Sequence, residues 1–507
     1  MAAYGGNGPK IKIVMSGRFT YIVIALMLAL SCSSESFSEE HHTESVETQY
    51  RLTVDGKPFL MLGAQLRTDF FRQLDGKTLE QLDEYFSLAA GLNITCVQVP
   101  VSWSDVETDY DIYTDKTIKA YIDYCEKYNI KLEILWFGSY MCGYSVEGHL
   151  PDYIVKDTKT YSELNPSAAY QGWQGKQFYL SPGNKVLVER EVKAVSEMMN
   201  FIADYDNKLG NPHTVIGIQV ENEPDMLATR HNAAHGFAPN DLWPSLLYHI
   251  NAIGKAVKNG PYDCYTRVNQ TCTYDDWQYW SRKIAEREGI DYVGFDPYVN
   301  DLKTISEWLS DIKDIPGNFS HIAENGGEYY NNDLMTLKAL VMGCGYEVFE
   351  VITTPHKYLA DWTLRGVYNP DFSPKGQTQR LIDAYGIFKG AWYDFATAAE
   401  EDMIGFNLKE SQGESSAEDT GHTSAHTVKW TTSSRGVAFA IQGDGYITVG
   451  STKQDVMHFD FEPTGVESGR YDNDGNWSKY EDAASRFGNG MLLMEPCTVY
   501  RLYFNVN

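Results

Sequence analysis

Basic residues are scarce in this chain of 507 residues: 42 Lys and Arg stand against 69 Asp and Glu, a formal net charge of −27. Proteins that hold a phosphate backbone do so with Lys and Arg, so this balance excludes a nucleic-acid partner. Cysteine is scarce as well, with 8 in the chain and no Cys-x-x-Cys pair. That excludes a structural zinc site and a disulfide framework. Cys264 and Cys272 are close enough in sequence to pair, but they read better as small buried apolar residues. His231 and His235 have the spacing of two ligands on one helix face. Asn232, Ala233 and Ala234 between them lack the Glu of a zinc-protease helix, so the pair reads as loop or solvated. His356 reads as a hydrogen-bonding loop residue. No metal and no organic cofactor is implied.

Long apolar runs are missing too. Residues 21–30 form the main one, preceded by Arg18 and followed by small residues and Cys32. Ten residues do not span a bilayer, and this order of charge, apolar run and small residues is that of an export signal. Ala29-Leu30-Ser31-Cys32 resembles a bacterial lipobox, so residues 1–32 are expected to be a lipoprotein signal with Cys32 as the lipidated residue. The expected place is the outer membrane, periplasmic or surface-exposed. The alternative is an ordinary cleaved signal. Removing 1–32 takes away Lys10, Lys12 and Arg18 and no acid, leaving 39 bases against 69 acids, or −30. Residues 33–48 are polar and acidic, as a flexible tether would be.

What is plentiful is aromatic: 35 Tyr, 22 Phe and 11 Trp, 13% of the chain, within an ordinary globular balance of 43% hydrophobic and 22% charged residues. A large core and a sugar-binding cleft both use such residues. Between residues 59 and 398 short apolar runs alternate with helical periodicity. The runs fall at 59–65, 94–100, 132–137, 214–220, 264–269, 292–295, around 322, and at 346–352. Amphipathic segments follow them at 78–90, 115–129, 184–206, 244–259, 275–288, 303–314, 331–343 and 374–398. Eight consecutive βα units predict a (β/α)8 TIM barrel over 49–400. A doubly wound open sheet is the alternative, disfavoured because no Gly-rich phosphate loop follows the first run. From 401 to 507 short alternating runs between Ser-, Thr- and Gly-rich stretches predict a small antiparallel β-sandwich. Its Trp477 and Tyr480 read as core or interface aromatics, with a sugar platform as the alternative.

Two carboxylates stand out by position. The apolar run 214–220 leads straight into Glu221-Asn222-Glu223-Pro224, and the seventh run leads into Glu324-Asn325-Gly326-Gly327. Glu223 and Glu324 therefore sit at the C-terminal ends of strands on opposite sides of a barrel, where catalytic groups gather. Two convergent carboxyls suit glycosidic cleavage, one as acid and one as nucleophile; the alternative is a pair of mouth-lining carboxylates tied to nearby bases.

At these residues the chain resembles the glycoside hydrolases of clan A. Gln219-Val-Glu-Asn-Glu223 is similar to the family 35 β-galactosidases. So are Trp136-Phe-Gly-Ser-Tyr140-Met-Cys142, Gly148-His-Leu150-Pro151-Asp-Tyr-Ile, and Val101-Ser-Trp103 through Glu107. The resemblance implies Glu223 as acid/base, Glu324 as nucleophile, Asn222 on the sugar 2-hydroxyl and Tyr298 holding the nucleophile. It departs where Gly143 and Tyr144 replace an Ala-Glu pair that contacts galactose. It departs again at Val106 and Thr108, at Pro224, and after Glu324, where a Trp is missing. Further candidate substrate contacts are Trp136, Tyr140 and Trp362 by stacking and Glu107 by hydrogen bonding; Glu107 as a loop cap and the tryptophans as packing are the alternatives. Arg67 is expected to pair with a mouth carboxylate, and Glu221 to support rather than catalyse. The expected activity is that of a retaining exo-glycosidase, a β-galactosidase, acting on an extracellular glycan. An endo-acting β-glycanase and a non-catalytic glycan-binding lipoprotein are the alternatives.

Overall fold

A computed structural model describes residues 46–47, 51–172, 175–230, 240–271, 274, 276–354, 365–408 and 417–505. The export signal with Cys32, and the residues Cys272, His231, His235, His356 and Trp362, lie outside the described residues. Val46–Glu47 pairs with Thr53–Val54, so part of the segment read as a tether lies in a sheet.

Eight parallel strands close into a barrel. They are β1 (Leu62–Gln65), β2 (Cys96–Ser102), β3 (Lys131–Phe137), β4 (Val215–Asn222), β5 (Tyr265–Gln270), β6 (Tyr292–Phe295), β7 (His321–Gly326) and β8 (Gly345–Phe349). Each strand is followed by a barrel helix, with shorter helical turns in some of the loops: α1 (Asp83–Gly91), α2 (Lys116–Tyr128), α3 (Lys185–Leu209), α4 (Trp243–Lys258), α5 (Trp277–Ala285), α6 (Leu302–Lys313), α7 (Asn332–Val341) and α8 (Thr378–Gly390). The helix ends follow local chemistry. Asn184 caps α3 through Leu187 N–H, and Gly210 closes it in the left-handed region. Asp301 caps α6 in the same way, through Thr304 N–H.

Two strands carry one residue too many. Against β5, β4 pairs Gln219 with Arg267 but Glu221 with Val268; against β8, β7 pairs Ile322 with Tyr346 but Asn325 with Val348. Strict alternation would turn Asn222 away from Gln219 and Glu324 away from His321. The extra residue brings each back to the barrel interior, where Gln219 Nε2 donates to Asn222 Oδ1 at 2.9 Å. Bulges that re-aim a side chain beside a site are a recurrent device.

The barrel interior is more polar than the branched aliphatic filling usual for this architecture. Met61, Cys96, Ile216, Tyr265 and Tyr292 pack at its floor. Above them Arg267, fully buried, donates from Nε to Glu133 Oε1 at 2.8 Å, and Tyr265 donates its hydroxyl to the same carboxylate. His321 and Glu347 stand 3.2 Å apart beside this pair.

Residues 403–408 and 417–503 form a sandwich of a six-stranded and a five-stranded antiparallel sheet, with Phe406 stacked near Trp430 at 5.9 Å in its core. It docks on the barrel side through Arg501, which reaches Asp394 at 3.7 Å and is held between the Trp477 ring at 4.2 Å and that of Tyr446 at 4.0 Å. Tyr446 and Tyr471 both donate to Asp394 on the barrel side. Trp477 is thus a domain-interface aromatic. Arg435 adds a second tie, reaching Asp333 of α7 at 2.7 Å.

Candidate active site

Glu324 leaves β7 pointing into the mouth and is 6% exposed. Gln65 of β1 donates to its Oε1 at 2.8 Å, and the Tyr298 hydroxyl donates to its Oε2. Both donors are neutral and fixed. Gln65 is within 3.3 Å of Gln98 Oε1. Tyr298 takes a left-handed backbone, φ 48°, and the Arg365 guanidinium lies 3.7 Å over its ring. Asn325 locks this loop to β7: its Oδ1 accepts from Val299 N–H at 2.9 Å and its Nδ2 donates to Val299 O at 3.0 Å. The residue after the nucleophile candidate therefore positions the tyrosine that holds it.

Across the mouth, Glu223 follows β4 in a left-handed backbone, φ 49°, with its N–H on Asn269 O at 3.1 Å. A non-Gly residue in that region is uncommon and is found where surroundings over-determine it. Asn222 donates from Nδ2 to the Cys142 sulfur at 3.2 Å. Burial pushes the Cys142 thiol well up, and the neighbouring Glu223 and Glu324 charges add to this, so it stays a thiol. Glu221 points the other way, toward His249 of α4 at 3.5 Å, and burial beside Glu191 holds it well above the usual carboxylate range. It supports β4, as expected.

The mouth holds a third carboxyl that the sequence reading passed over. Asp296 follows β6, is 2% exposed, and neither of its oxygens has a hydrogen-bond partner among the described residues. Burial raises it well above the usual range, and Glu324 and Glu223 raise it further. An acid directly at the end of a barrel strand was the available signal. Gln65 was missed for the opposite reason, because a neutral amide inside a strand announces nothing.

Three expected substrate contacts lie elsewhere. Trp136 is 1% exposed and donates to Glu191 Oε1 at 2.9 Å; alternation along β3 turns it toward the helices while Leu135 and Phe137 face the other way. Tyr140 is also buried, with its hydroxyl on Leu180 O at 2.9 Å. Glu107 accepts from Trp103 Nε1 at 2.8 Å, the Tyr153 hydroxyl at 2.9 Å, Asp111 N–H at 3.0 Å and Arg190. Its acceptor capacity is consumed by the loop it closes. Arg67 does pair with a carboxylate: it clasps Asp69 at 2.9 and 2.8 Å, beside Glu350, which burial pushes up to about 7. Glu223, Asn222, Glu324 and Tyr298 are the expected residues that the fold gathers at the mouth.

Residues 246–413 match a family model described as a domain of unknown function, DUF4978. No curated protein matches the sequence. Among solved structures, the exo-β-1,4-mannosidase Op5Man5 from Opitutaceae bacterium strain TAV5 is 13% identical, with a TM-score of 0.48. That match covers 67% of this chain and 62% of that one, so the chain spans less than two thirds of the mannosidase's length. The endo-1,4-β-mannanase of Rhizomucor miehei is 15% identical over 68% of this chain and 99% of that one, TM-score 0.46. GH5_18 from Streptomyces cattleya, solved in complex with GlcNAc, is 12% identical over 64% and 80%, TM-score 0.49. These are distant likenesses in chain course.

Proposed function

We propose that the protein is a retaining β-glycoside hydrolase that removes terminal sugars from an extracellular glycan. The observation that carries this reading is Glu324 held by two neutral donors, Gln65 and Tyr298, across the mouth from Asn222-Glu223. A carboxylate whose lone pairs are oriented but not neutralised by a cation is suited to attack an anomeric carbon. Glu223 serves as the acid that protonates the departing oxygen, then as the base that activates water on the glycosyl-enzyme. Asn222, adjacent to Glu223 and oriented by Gln219, serves the sugar 2-hydroxyl. Burial disfavours charge on Asp296, which limits the repulsion it sets against Glu324. The segments similar to family 35 point to β-galactosides as first substrate. Export and attachment at Cys32 are proposed on residues 18–32 alone.

A panel of nitrophenyl β-glycosides (galactoside, mannoside, glucoside) and matching oligosaccharides tests this. Turnover of at least one is expected, with Glu324→Gln lowering kcat/KM about 10³-fold or more on every substrate. Glu223→Gln is expected to slow natural linkages by a similar factor but nitrophenyl glycosides less, because nitrophenolate leaves without a proton. Wild-type silence across the panel would refute the reading, and full activity in Glu324→Gln would refute the assignment.

A further inference from the structure

The chain after β3 leans on the Glu223 side of the mouth. Cys142 touches Asn222, and Gly143, at φ +74°, lies so close to the turn after Glu223 that a Cβ there would stand 2.4 Å from Leu227 N. Tyr144 follows at once and opens a three-stranded antiparallel sheet in which Ser145–Val146 pairs with Gly175–Phe178, and that strand with Tyr170–Gly172. The register sets Val146 opposite Gln177 and Gln177 opposite Tyr170. Residues directly opposite share a face, and Tyr144 shares it with Val146 by alternation. Tyr144 and Tyr170 thus stand on one face of a sheet whose first residue abuts the mouth, and the Tyr144 hydroxyl is within electrostatic reach of Cys142, Tyr170 and Glu223.

Tyr170 is 51% exposed. Four exposed tyrosines have a cation near the ring: Arg190 for Tyr110 at 4.1 Å, Arg380 for Tyr330 at 3.8 Å, Lys283 for Tyr279 at 5.7 Å, Arg470 for Tyr480 at 5.6 Å. Among the described residues no cation covers Tyr170 or Tyr248, and Tyr248 stands on helix α4 rather than on this sheet. The Tyr170 ring shares a sheet face with Tyr144, which feels the charge of Glu223, the group read as the general acid, and what lies beyond a general acid is the leaving group.

We propose that Tyr170 is the platform on which the leaving-group sugar stacks, so that the substrate is an oligosaccharide whose departing part is itself a pyranose. The proposal rests on the glycosidase reading. An apolar pyranose face against a tyrosine ring gains contact in the ground state and the transition state alike, so its loss acts mainly on KM.

The test compares wild type, Tyr170→Ala and Tyr170→Trp on two substrates with the same glycone, a β-linked oligosaccharide and the corresponding glycosyl fluoride. Fluoride has no ring to stack. Tyr170→Ala is expected to lower kcat/KM on the oligosaccharide about tenfold, chiefly through KM, and to leave the fluoride unchanged; Tyr170→Trp retains activity on both. Equal effects of Tyr170→Ala on both substrates, or none on either, overturn the platform alone. Wild-type inactivity on both substrates overturns the glycosidase reading and the platform with it.

Discussion

Two groups of carboxyls share the inside of this barrel and are handled in opposite ways. In the interior, Glu133 is clasped by Arg267 and Tyr265, all fully buried. Beside it, burial and the Glu133 charge push Glu347 well above its usual range, and burial with the Arg267 charge drives His321 well below its own. The layer therefore holds one ion pair and one neutral pair. At the mouth, Glu324 is met by an amide and a phenol, and burial disfavours charge on the neighbouring Asp296. A guanidinium neutralises a buried carboxylate at the cost of fixing its charge. Neutral donors orient a carboxylate and leave its charge free to be consumed and restored. The comparison separates a structural acid from one suited to chemistry without reference to any relative.

Breaking the interior pair should have the largest effect on the fold. Arg267→Met keeps volume but leaves Glu133 buried with only Tyr265, and losing one partner of a buried pair costs about 3–5 kcal/mol. The denaturant midpoint should drop accordingly, and the double variant Arg267→Met/Glu133→Gln should recover most of the loss. A double variant as unstable as the single would mean that the charge is not the cause.

Glu350 sharpens the comparison, because it lies beside Arg67 and is nevertheless held up to about 7 by burial, against 4.5 for an ordinary glutamate. Its folded pKa is raised, so the folded state holds a proton that the unfolded chain releases. Stability from this group is complete below pH 4.5 and is lost as pH rises through 7. The loss is on the order of 3 kcal/mol. Glu350→Gln, which retains a carbonyl for Thr354 N–H, should match wild type at pH 4.5 and exceed it at pH 7.5 in thermal midpoint. Parallel pH profiles would show that Arg67 already compensates its charge.

Much of this was legible in the sequence, for definite reasons. Buried parallel strands are continuous apolar runs, so all eight stood out. Glu223 and Glu324 stood out because a charge directly after such a run sits at the mouth. The bulges in β4 and β7 were not legible: period-two reading from Ile322 turns Glu324 toward the helices. Trp136, Tyr140 and Glu107 were misplaced because a strand-end position does not say which partner claims the side chain. Glu191 of α3 claims Trp136, Leu180 claims Tyr140 and Arg190 shares Glu107, and each lies tens of residues away. Asp296 was readable by the same rule that selected the two glutamates, since it directly follows the run 292–295.

The finest division of the comparison concerns the neutral donors themselves. If Tyr298 merely packs, Tyr298→Phe should be silent, since Phe349 and Arg365 still flank the ring at 5.9 and 3.7 Å. If it orients the nucleophile, removing one hydrogen bond to a charged acceptor costs about 1.5–3 kcal/mol, or roughly 10- to 150-fold in kcat/KM. The loss should fall on kcat, because the bond is to the enzyme's own carboxylate and not to substrate. A packing role leaves kcat unmoved, so an unchanged kcat would place Glu324 under Gln65 alone.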